Sequence, residues 1–412
     1  GFPVSSLTNI PADQIKSINV LKDAASTAIY GSRGAAGVVL VTTKSAIEGQ
    51  VSVSYNGYVQ VKDSSTEIYD VLDASDYLKF TLGYARDYNA TNYQNMLKYF
   101  GIGSAYGNHY NDYAGKASHN WQKDLLKTGI SHSHNLAVSS GTQRSRTMFN
   151  LNYMYDDGTV INSWFRRISA SLKESLKLTN NLDLDLNITY YNSTSNGNSR
   201  QGSAYQYRAL EPLGPEPENY SGFGNGLSYV STAYDPVELT YNSEPASASH
   251  NFRAIGAINW RPVEGLTLRT ELGLGKGFSR SESYNKGYGN ETRSASLSRG
   301  ESSRLNWTTT AQYQIPFSNQ IHRADIMVGN EIRTTNSSSM YFYGYEYPDN
   351  FDRERTFAFL NQYTKDFSFS TSYATPGRVV SFFTRANYSL MDKYLFTVTF
   401  RADGSANFTV NR

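Results

Sequence analysis

The sequence predicts an all-β membrane protein: a large antiparallel transmembrane β-barrel that follows a short segment of mixed α and β character. Three observations support this fold class, namely the abundance of aromatic residues, long stretches of alternating polarity, and connections that alternate in length. Of the 412 residues, 14% are aromatic and 18% are charged, and the mean hydropathy is −0.52. Aromatic and β-branched side chains suit the pleated surface of a sheet. The composition therefore favours strands.

The first 44 residues differ in texture from the rest of the chain. Pro11 is placed as at the start of a helix, and residues 18–21 form an apolar run. The apolar stretch Val38–Thr43 predicts a buried strand. This part of the sequence predicts a small unit of short helices and strands.

From residue 51 onward, the pattern changes to strict alternation. Val51, Val53 and Tyr55 share one face, and Leu182, Leu184 and Leu186 do so further along. Several segments contain ten residues or more, which matches the ~9–11 residues that a tilted strand needs to cross a bilayer. About eleven such segments are present, beginning near residues 50, 132, 145, 165, 182, 250, 265, 303, 322, 379 and 394.

The connections between these segments indicate a membrane barrel more strongly than the alternation does. Tight connections near residues 141–143, 179–181, 263–265, 318–320 and 390–393 alternate with long ones. Short turns at one end and long loops at the other are typical of outer-membrane barrels, whereas a soluble sandwich has no reason to sort its loops by end. The long connections are expected at residues 62–131, 156–164, 193–249, 280–302 and 346–378.

Glu174 is an exception to the alternation, because it is aligned with Leu172 and Leu176 on the face assigned to lipid. A carboxylate at mid-depth in the bilayer is unfavourable by up to a few kcal/mol. We expect either that Glu174 lies near the periplasmic interface or that a bulge turns it inward.

Several classes of function are disfavoured by what the sequence contains. No run of 18 apolar residues is present, which excludes a helical membrane protein. The net charge of +2, with scattered Lys and Arg, disfavours nucleic-acid binding. The chain has no Cys, so disulfide and thiolate chemistry are excluded. Neither Gly-x-Ser-x-Gly nor His-Glu-x-x-His occurs, so we expect no catalytic residues, no enzyme activity and no cofactor.

Two features could suggest ligand sites, and both have simpler explanations. His132 and His134 could bind a metal, but no Cys or spaced carboxylates support them, so we expect lumen-facing polar residues and no metal. The spacing Gly31-x-x-Gly34-x-x-Gly37 could cradle a phosphate, but it lacks the Lys-Ser/Thr of a P-loop. We expect tight turns there instead.

Residues 20–44, VLKDAASTAIYGSRGAAGVVLVTTK, resemble the end of the plug domain in SusC/RagA-type TonB-dependent outer-membrane transporters. Residues 10–15, 155–160 with 166–170, and 385–405 are similar to further blocks of this family, in the expected order. The plug resemblance is carried by Val20, Leu21, Lys22, Asp23, Ala28, Ile29, Tyr30, Gly31, Ser32, Arg33, Gly34, Gly37, Thr42, Thr43 and Lys44.

The resemblance implies a division of the chain into two parts. Residues 1–48 would be the C-terminal part of the plug, and residues 49–412 the N-terminal half of a barrel with long extracellular loops. A complete transporter of this type is expected to have about 22 strands, against about eleven here. Because unpaired strand edges are not tolerated in lipid, we expect an internal fragment of a longer polypeptide.

The function that the resemblance implies is active import across the bacterial outer membrane. The substrate would be an oligosaccharide or a peptide, covered by a SusD-like surface lipoprotein acting as a lid. Energy would come from TonB, acting through a segment absent from these 412 residues, while outer-membrane lipid surrounds the barrel. Arg33 and Lys44 would be contacts between plug and barrel. Two alternatives stay open: a plain porin, and a secreted or surface β-sandwich that binds glycans or acts as an adhesin.

Substrate contacts are expected in the long connections, which are rich in aromatic residues. Aromatic faces beside Asn and Asp suit sugar rings, although the same residues could belong to an interfacial girdle or pack the loops together. The candidates are Tyr84, Tyr88, Tyr205, Tyr207, Tyr343 and Tyr345.

Overall fold

The computed structural model describes most of the chain and shows two antiparallel sheets with short helices between their strands. The described residues are 2–3, 10, 12–49, 51–64, 69–113, 120–197, 236–287, 292–318 and 321–406.

The smaller sheet lies in the N-terminal segment, residues 12–49. Strands β1 (Ile15–Leu21) and β2 (Val38–Thr43) pair antiparallel and are joined by α1 (Ala24–Thr27) and a 3-10 stretch, Ala28–Gly34. The expectation of a buried β2 is wrong, since Val39 is 50% exposed. A two-stranded sheet has two faces, and no described element covers the one that carries Val39. Pro11 is outside the described residues; a 3-10 turn, Ala12–Gln14, follows it.

The larger sheet has twelve strands in an almost purely sequential order. Each strand from β3 to β11 pairs with the next one, β11 then pairs with β13, and β13 with β14, while β12 pairs with the far end of β11. The first strands are β3 (Val51–Lys62), β4 (Gly129–Gly141), β5 (Ser145–Asp157), β6 (Trp164–Thr179), β7 (Leu182–Asn196) and β8 (Ser243–Trp260). They are followed by β9 (Leu266–Asn285), β10 (Ser294–Ile315), β11 (His322–Tyr345), β12 (Phe367–Tyr373), β13 (Gly377–Leu390) and β14 (Tyr394–Ser405).

The two faces of this sheet differ in polarity, as the alternation predicted. We call the face that contacts the N-terminal segment the inner face; there Ala46 packs against Ala137 and Met148. The opposite, outer face carries apolar side chains, among them Val398, which is 70% exposed. On β10 this apolar outer stretch runs over residues 305–315, the length that a bilayer crossing requires.

The tight connections are largely where the sequence places them. Turns at residues 142–144, 180–181, 261–265 and 391–393 join successive strands at one end of the sheet. In the last of these, Met391 and Asp392 both have positive φ, as a tight hairpin turn requires. Residues 319–320 of the remaining turn lie outside the described part of the chain.

The other end of the sheet departs from the expected loops. Residues 280–302 are mostly strand, because β9 and β10 continue to Asn285 and from Ser294. In this region both strands carry Ser and Gly on the inner face, and the outer face includes charged residues. The alternation of apolar and polar residues is therefore lost, although β9 and β10 remain hydrogen-bonded to each other. The connection expected at 156–164 is only residues 158–163, and β12 was not predicted.

Glu174 lies on the outer face, near the tight-turn end of its hairpin. It accepts a hydrogen bond from Ser145 Oγ at 2.7 Å and another from Thr147 Oγ1. Ser145 is the first residue of β5 after the turn at 142–144. The position near the interface is therefore the one observed, and two hydroxyls satisfy the carboxylate.

The connection between β3 and β4 carries a small helical core. Helices α2 (Ala74–Tyr88) and α3 (Ala90–Tyr99) each begin at a side-chain cap. Asp73 Oδ1 accepts a hydrogen bond from the amide of Asp76 at 2.8 Å, and Asn89 Oδ1 accepts one from the amide of Asn92 at 2.7 Å. Their buried faces join into one cluster. Its members are Ala74, Leu78, Ala85, Met96, Tyr99, Phe100 and Tyr113.

The remaining helices are short: α4 (Trp121–Asp124), α5 (Pro236–Asn242) and α6 (Arg353–Ala358). In the described part of the chain, no helix has the length and apolar character needed to cross a membrane.

Candidate functional site

The best-defined polar site is the contact between the N-terminal segment and the inner face of the large sheet. Its first component is the loop between β1 and β2. Asp23 begins the loop by accepting the amide of Ser26 at 2.8 Å, and its carbonyl accepts Thr27 Oγ1 at 3.0 Å. These bonds fix the entry to α1 and so aim the following residues at the sheet.

The glycines of this loop allow its close approach to the strands. Gly31 has φ +65°, and a Cβ there would lie 2.5 Å from Asp403 Oδ2. A Cβ on Gly34 would lie 2.7 Å from the carbonyl oxygen of Thr27, and Gly37 has φ +100°. Left-handed φ and the absence of a side chain are both requirements that glycine meets at low cost. The glycine spacing thus corresponds to tight turns.

An ion-pair cluster joins this loop to β11 and β14. Glu331 accepts from Arg33 at 3.1 Å through Oε1 and from Arg401 at 2.8 Å through Oε2. Arg401 also reaches Asp403 at 2.7 Å and the carbonyl oxygen of Ile29. The side chains of Arg401 and Glu331 are 7% and 12% exposed, whereas that of Arg33 is 41% exposed. One carboxylate therefore links the loop and the sheet.

Tyr30 lies in the same loop as Arg33. Burial raises the pKa of Tyr30, and the guanidinium of Arg385 on β13 lowers it in part. A neutral tyrosine hydroxyl at this position contributes no charge to the cluster, so the arginines and carboxylates set its electrostatics.

A second contact lies on β6, away from the ion-pair cluster. Lys173 Nζ donates to Thr43 at 3.3 Å and to the carbonyl oxygen of Lys44 at 3.4 Å. Ser171 Oγ donates to Gln14 Oε1 at 3.4 Å. These bonds hold the end of β2 and the turn before β1, so the N-terminal segment is fixed at both sides.

His132 and His134 are placed differently from the expectation. They lie on the outer face with Ile130 and Leu136, and their ring nitrogens are 3.1 Å apart. The expectation of lumen-facing side chains is wrong, because their parity is that of the apolar residues of β4. His134 stacks on Tyr55, as in an aromatic girdle. No group of three or more metal-ligating side chains is found among the described residues.

The chain is similar to known proteins in both sequence and structure. No family model matches the chain. It is 27% identical over 435 residues to the TonB-dependent receptor SusC of Bacteroides thetaiotaomicron, covering 97% of the chain and 39% of SusC. It is also 27% identical to TonB-dependent receptor P3 of Formosa agariphila, covering 98% of the chain and 38% of the receptor.

The fold is similar to that of the RagAB peptide importer in its open-open state. The TM-score is 0.76 at 19% sequence identity, covering 98% of this chain and 47% of the solved one. The chain is a relative of the SusC/RagA-type TonB-dependent transporters. The resemblance expected from residues 20–44 is confirmed, as is the fold class. The chain spans about two fifths of the length of the curated SusC-type relatives.

The residues that were expected to form a plug motif fall into three structural groups. Val20 and Leu21 pair with Val39 and Val38 in the small sheet, while Thr42 and Thr43 end β2. The loop residues from Lys22 to Gly37 reach the sheet, through Arg33 and the carbonyl oxygen of Ile29. Lys44 contributes its carbonyl oxygen to Lys173 rather than its own ammonium group.

Of the six tyrosines expected to contact substrate, four lie in the described part of the chain, and these four form two pairs. Tyr84 and Tyr88 stack on the exposed face of α2 with ring centroids 6.3 Å apart. Tyr343 and Tyr345 meet edge to face at 4.5 Å, near the end of β11. Tyr205 and Tyr207 lie outside the described residues. A substrate role for these tyrosines stays a prediction.

Three members of the ion-pair cluster were not predicted as site residues: Glu331, Arg401 and Asp403. A signal was present for two of them, since Arg401 and Asp403 are opposite charges two residues apart and so share one face of a strand. No such local sequence signal marks Glu331, because its partner Arg33 is 298 positions away in the sequence.

Proposed function

We propose that this chain is part of a TonB-dependent importer of the bacterial outer membrane, with residues 1–48 in its plug and 49–412 in its barrel. The observation that carries the proposal is the ion-pair cluster of Arg33, Glu331 and Arg401, which holds the N-terminal segment against the inner face. A segment held against the inner face of a sheet whose outer face is apolar is the arrangement expected of a plug that closes a transmembrane barrel.

The chemistry of the contact suits a plug that must move. Its described contacts include the ion pair of Arg33 and the hydrogen bonds of Lys173 and Ser171, and the buried apolar cluster that it shares with the sheet is small, comprising Ala46, Ala137 and Met148. Water can replace polar partners when the segment shifts, at a cost far below that of exposing a large apolar core. A pull transmitted by TonB would then displace the segment and open a path.

The proposed partners follow from the relatives. SusC and receptor P3 are named as TonB-dependent receptors, and the structural neighbour is named as the RagAB peptide importer. By this relationship, we propose that a SusD-like surface lipoprotein covers the extracellular end, that TonB supplies energy and that outer-membrane lipid contacts the outer face. The cargo would be an oligosaccharide or a peptide, and the protein would have no catalytic role.

The test of the plug assignment is a deletion of residues 12–44 from the full-length protein, followed by conductance measurements in planar bilayers. We expect the intact protein to be closed and the deletion variant to conduct continuously. A plain porin would conduct before the deletion and change little after it, which would contradict the proposal.

The test of the partners is mass spectrometry of the protein purified in detergent from outer membranes. An equimolar lipoprotein that copurifies with the full-length chain is the expected result. A water-soluble protein recovered alone would favour the secreted glycan-binding module. A single sheet of eleven sequentially paired strands, with β12 added at one side, already speaks against a two-sheet sandwich.

A further inference from the structure

A cavity of about 170 Å³ lies on the inner face, beside the first described residues of the chain. On the scale where one water needs about 10–15 Å³, it has room for on the order of ten waters. Its lining is polar and cationic, with Arg253 from β8 and Arg304 from β10 as the charged groups that face inward. Its lining includes Phe2, Thr189, Tyr191, Arg253, Ser302 and Arg304.

Glycines on β9 create the space for this cavity. A Cβ on Gly273 would lie 2.4 Å from the ring of Phe2, and one on Gly275 would lie 3.1 Å from it. The Phe2 ring therefore packs against a stretch of β9 whose inner-face residues are glycines. It is flanked by two guanidinium groups, Arg253 at 6.0 Å and Arg304 at 5.9 Å from the ring centroid.

The two arginines have unused capacity for an anion. Arg304 donates to the carbonyl oxygen of Pro3 at 3.0 Å. Arg253 makes no ion pair among the described residues, and its Nε is buried without a hydrogen-bond partner. Each guanidinium has five N–H donors arranged for bidentate binding of a carboxylate or a sulfate. Two such groups that flank one cavity form an anion-binding arrangement.

Among the described residues, no acidic side chain lines this cavity. The inner-face acids of β7 and β9, Asp183, Asp185 and Glu271, lie toward the tight-turn end and pair with other arginines. On β11, Glu331 pairs with Arg33 and Arg401, and Asp325 accepts hydrogen bonds from Asn387. Asp183 pairs with Arg261, and Asp185 and Glu271 lie 3.6 and 2.5 Å from Arg269. The positive charge beside the cavity is therefore not neutralised by the protein.

The inner wall between the cavity and the long-loop end of the strands is built almost entirely from hydroxyl groups. Ser193 and Ser249 are 2.8 Å apart across β7 and β8, and Ser247 and Ser281 are 3.0 Å apart across β8 and β9. Small hydroxyl side chains leave a wide surface that can exchange hydrogen bonds with a polar ligand. The inner-face serines of this wall are Ser193, Ser195, Ser247, Ser249, Ser279, Ser281, Ser283, Ser294, Ser296, Ser298, Ser302, Ser337 and Ser339.

We infer that this wall and cavity take an anionic oligosaccharide, one that carries a carboxylate or sulfate group, as the substrate of the importer. Arg253 and Arg304 bind the anionic group, the serines exchange hydrogen bonds with sugar hydroxyls, and the rings of Phe2 and Tyr191 offer faces to the C–H side of a sugar. The inference rests on the proposed function, because it specifies that importer's substrate class.

An oligosaccharide fits this surface better than a peptide does. A peptide presents an ammonium terminus and side chains of varied polarity, which call for an acidic partner and for apolar pockets. The described lining offers no acidic partner, and the apolar groups that face the cavity are Pro3 and the two aromatic rings. A sugar chain presents hydroxyls along its whole length, and the serine wall matches this regularity.

The experiment uses the full-length protein in detergent and isothermal titration calorimetry. The probes are trigalacturonic acid, its trimethyl ester, a sulfated carrageenan tetrasaccharide and a tripeptide of glutamate. The ester has the shape of the acid without the charge, so the comparison on the unmodified protein isolates the anionic group. The variants are Arg253→Gln and Arg304→Gln, with Arg299→Gln as the control, because Arg299 is exposed on the outer face of the same strand as Arg304.

We expect the acid or the sulfated sugar to bind at least tenfold more tightly than the ester, with the tighter of the two identifying the anionic group. Each of the two cavity variants should weaken that binding at least tenfold, and Arg299→Gln should leave it unchanged. Equal affinity for acid and ester, or no binding of either anionic sugar, would overturn the inference. Binding of the tripeptide alone would overturn the sugar class.

Uptake by cells separates this inference from the proposed function. If the anionic sugars bind in detergent but are not taken up, the importer proposal fails while the site stands. If neutral sugars are imported as readily as anionic ones, the importer stands and the substrate inference fails.

Discussion

Replacing Glu331 by Gln removes the one carboxylate that links the N-terminal segment to the sheet through two arginines. The amide keeps the size of the side chain but loses both ion pairs, with Arg33 at 3.1 Å and Arg401 at 2.8 Å. Arg33 is 41% exposed and regains water when released. Arg401 is 7% exposed and keeps Asp403 and the carbonyl oxygen of Ile29 as partners.

The magnitude follows from this difference in burial. Breaking a fully buried pair costs about 3–5 kcal/mol, and an exposed pair contributes about 0–1 kcal/mol. Because Arg401 retains one carboxylate, we expect Glu331→Gln to reduce the free energy that favours the closed state over the open state by about 2–3 kcal/mol. Since about 1.4 kcal/mol is a factor of ten, the open fraction should rise roughly 30- to 150-fold.

The assay is the open probability of single full-length transporters in planar bilayers without TonB. Glu301→Gln serves as the matched control, because Glu301 pairs with Lys276 on the outer face, where its side chain is 48% exposed. That variant should stay within about threefold of the unmodified protein, as an exposed pair contributes little. Equal open probability for the two variants would refute the assignment of the cluster as the closing contact.

Three further predictions concern other parts of the chain. Gly31→Ala should raise the same open probability, because φ +65° costs a side chain about 1–2 kcal/mol and its Cβ would lie 2.5 Å from Asp403; no change would refute this. Met96→Ala should destabilise the helical core by about 2–5 kcal/mol and expose it to protease with the strands intact, since Met96 is fully buried. Burial raises the pKa of Tyr347 to about 12, and its hydroxyl donates to Leu360 at 2.9 Å. The neutral hydroxyl stabilises the folded loop, so its contribution to stability should be present below pH 10 and lost as the pH rises from 10 through 12. Hydrogen exchange of residues 346–366 measures this loss, with Tyr347→Phe as the comparison.

The sequence predicted the strands well because each apolar face has a direct period-two signal. All eleven expected segments are strands, and nine of them begin within about three residues of the expected position. The exceptions, β8 and β10, begin earlier, at Ser243 and Ser294, where serine-rich stretches extend past the apolar band. Once the outer face no longer meets lipid, its residues need not be apolar, and the alternation ends before the strand does.

The site was predictable only in part. The loop from Asp23 to Gly37 was recognisable because its glycines and its cap are local requirements of tight turns. Its partners on the sheet were not, since Arg33 meets Glu331 only after the nine strands from β3 to β11 have paired in register. The two histidines could have been placed correctly from parity alone, because His132 and His134 alternate in phase with Ile130 and Leu136.

Under the proposed function, the N-terminal segment must leave the inner face for transport to occur. These 412 residues contain no cysteine, so Arg33→Cys and Glu331→Cys introduce the only thiols of this part of the protein, and a reversible cross-link between them can be made in cells taking up an anionic oligosaccharide. A bis-methanethiosulfonate reagent should stop uptake, and a reductant should restore it, whereas the same treatment of Lys276→Cys with Glu301→Cys, on the outer face, should have no effect. Undiminished uptake by the cross-linked Arg33–Glu331 pair would contradict the claim.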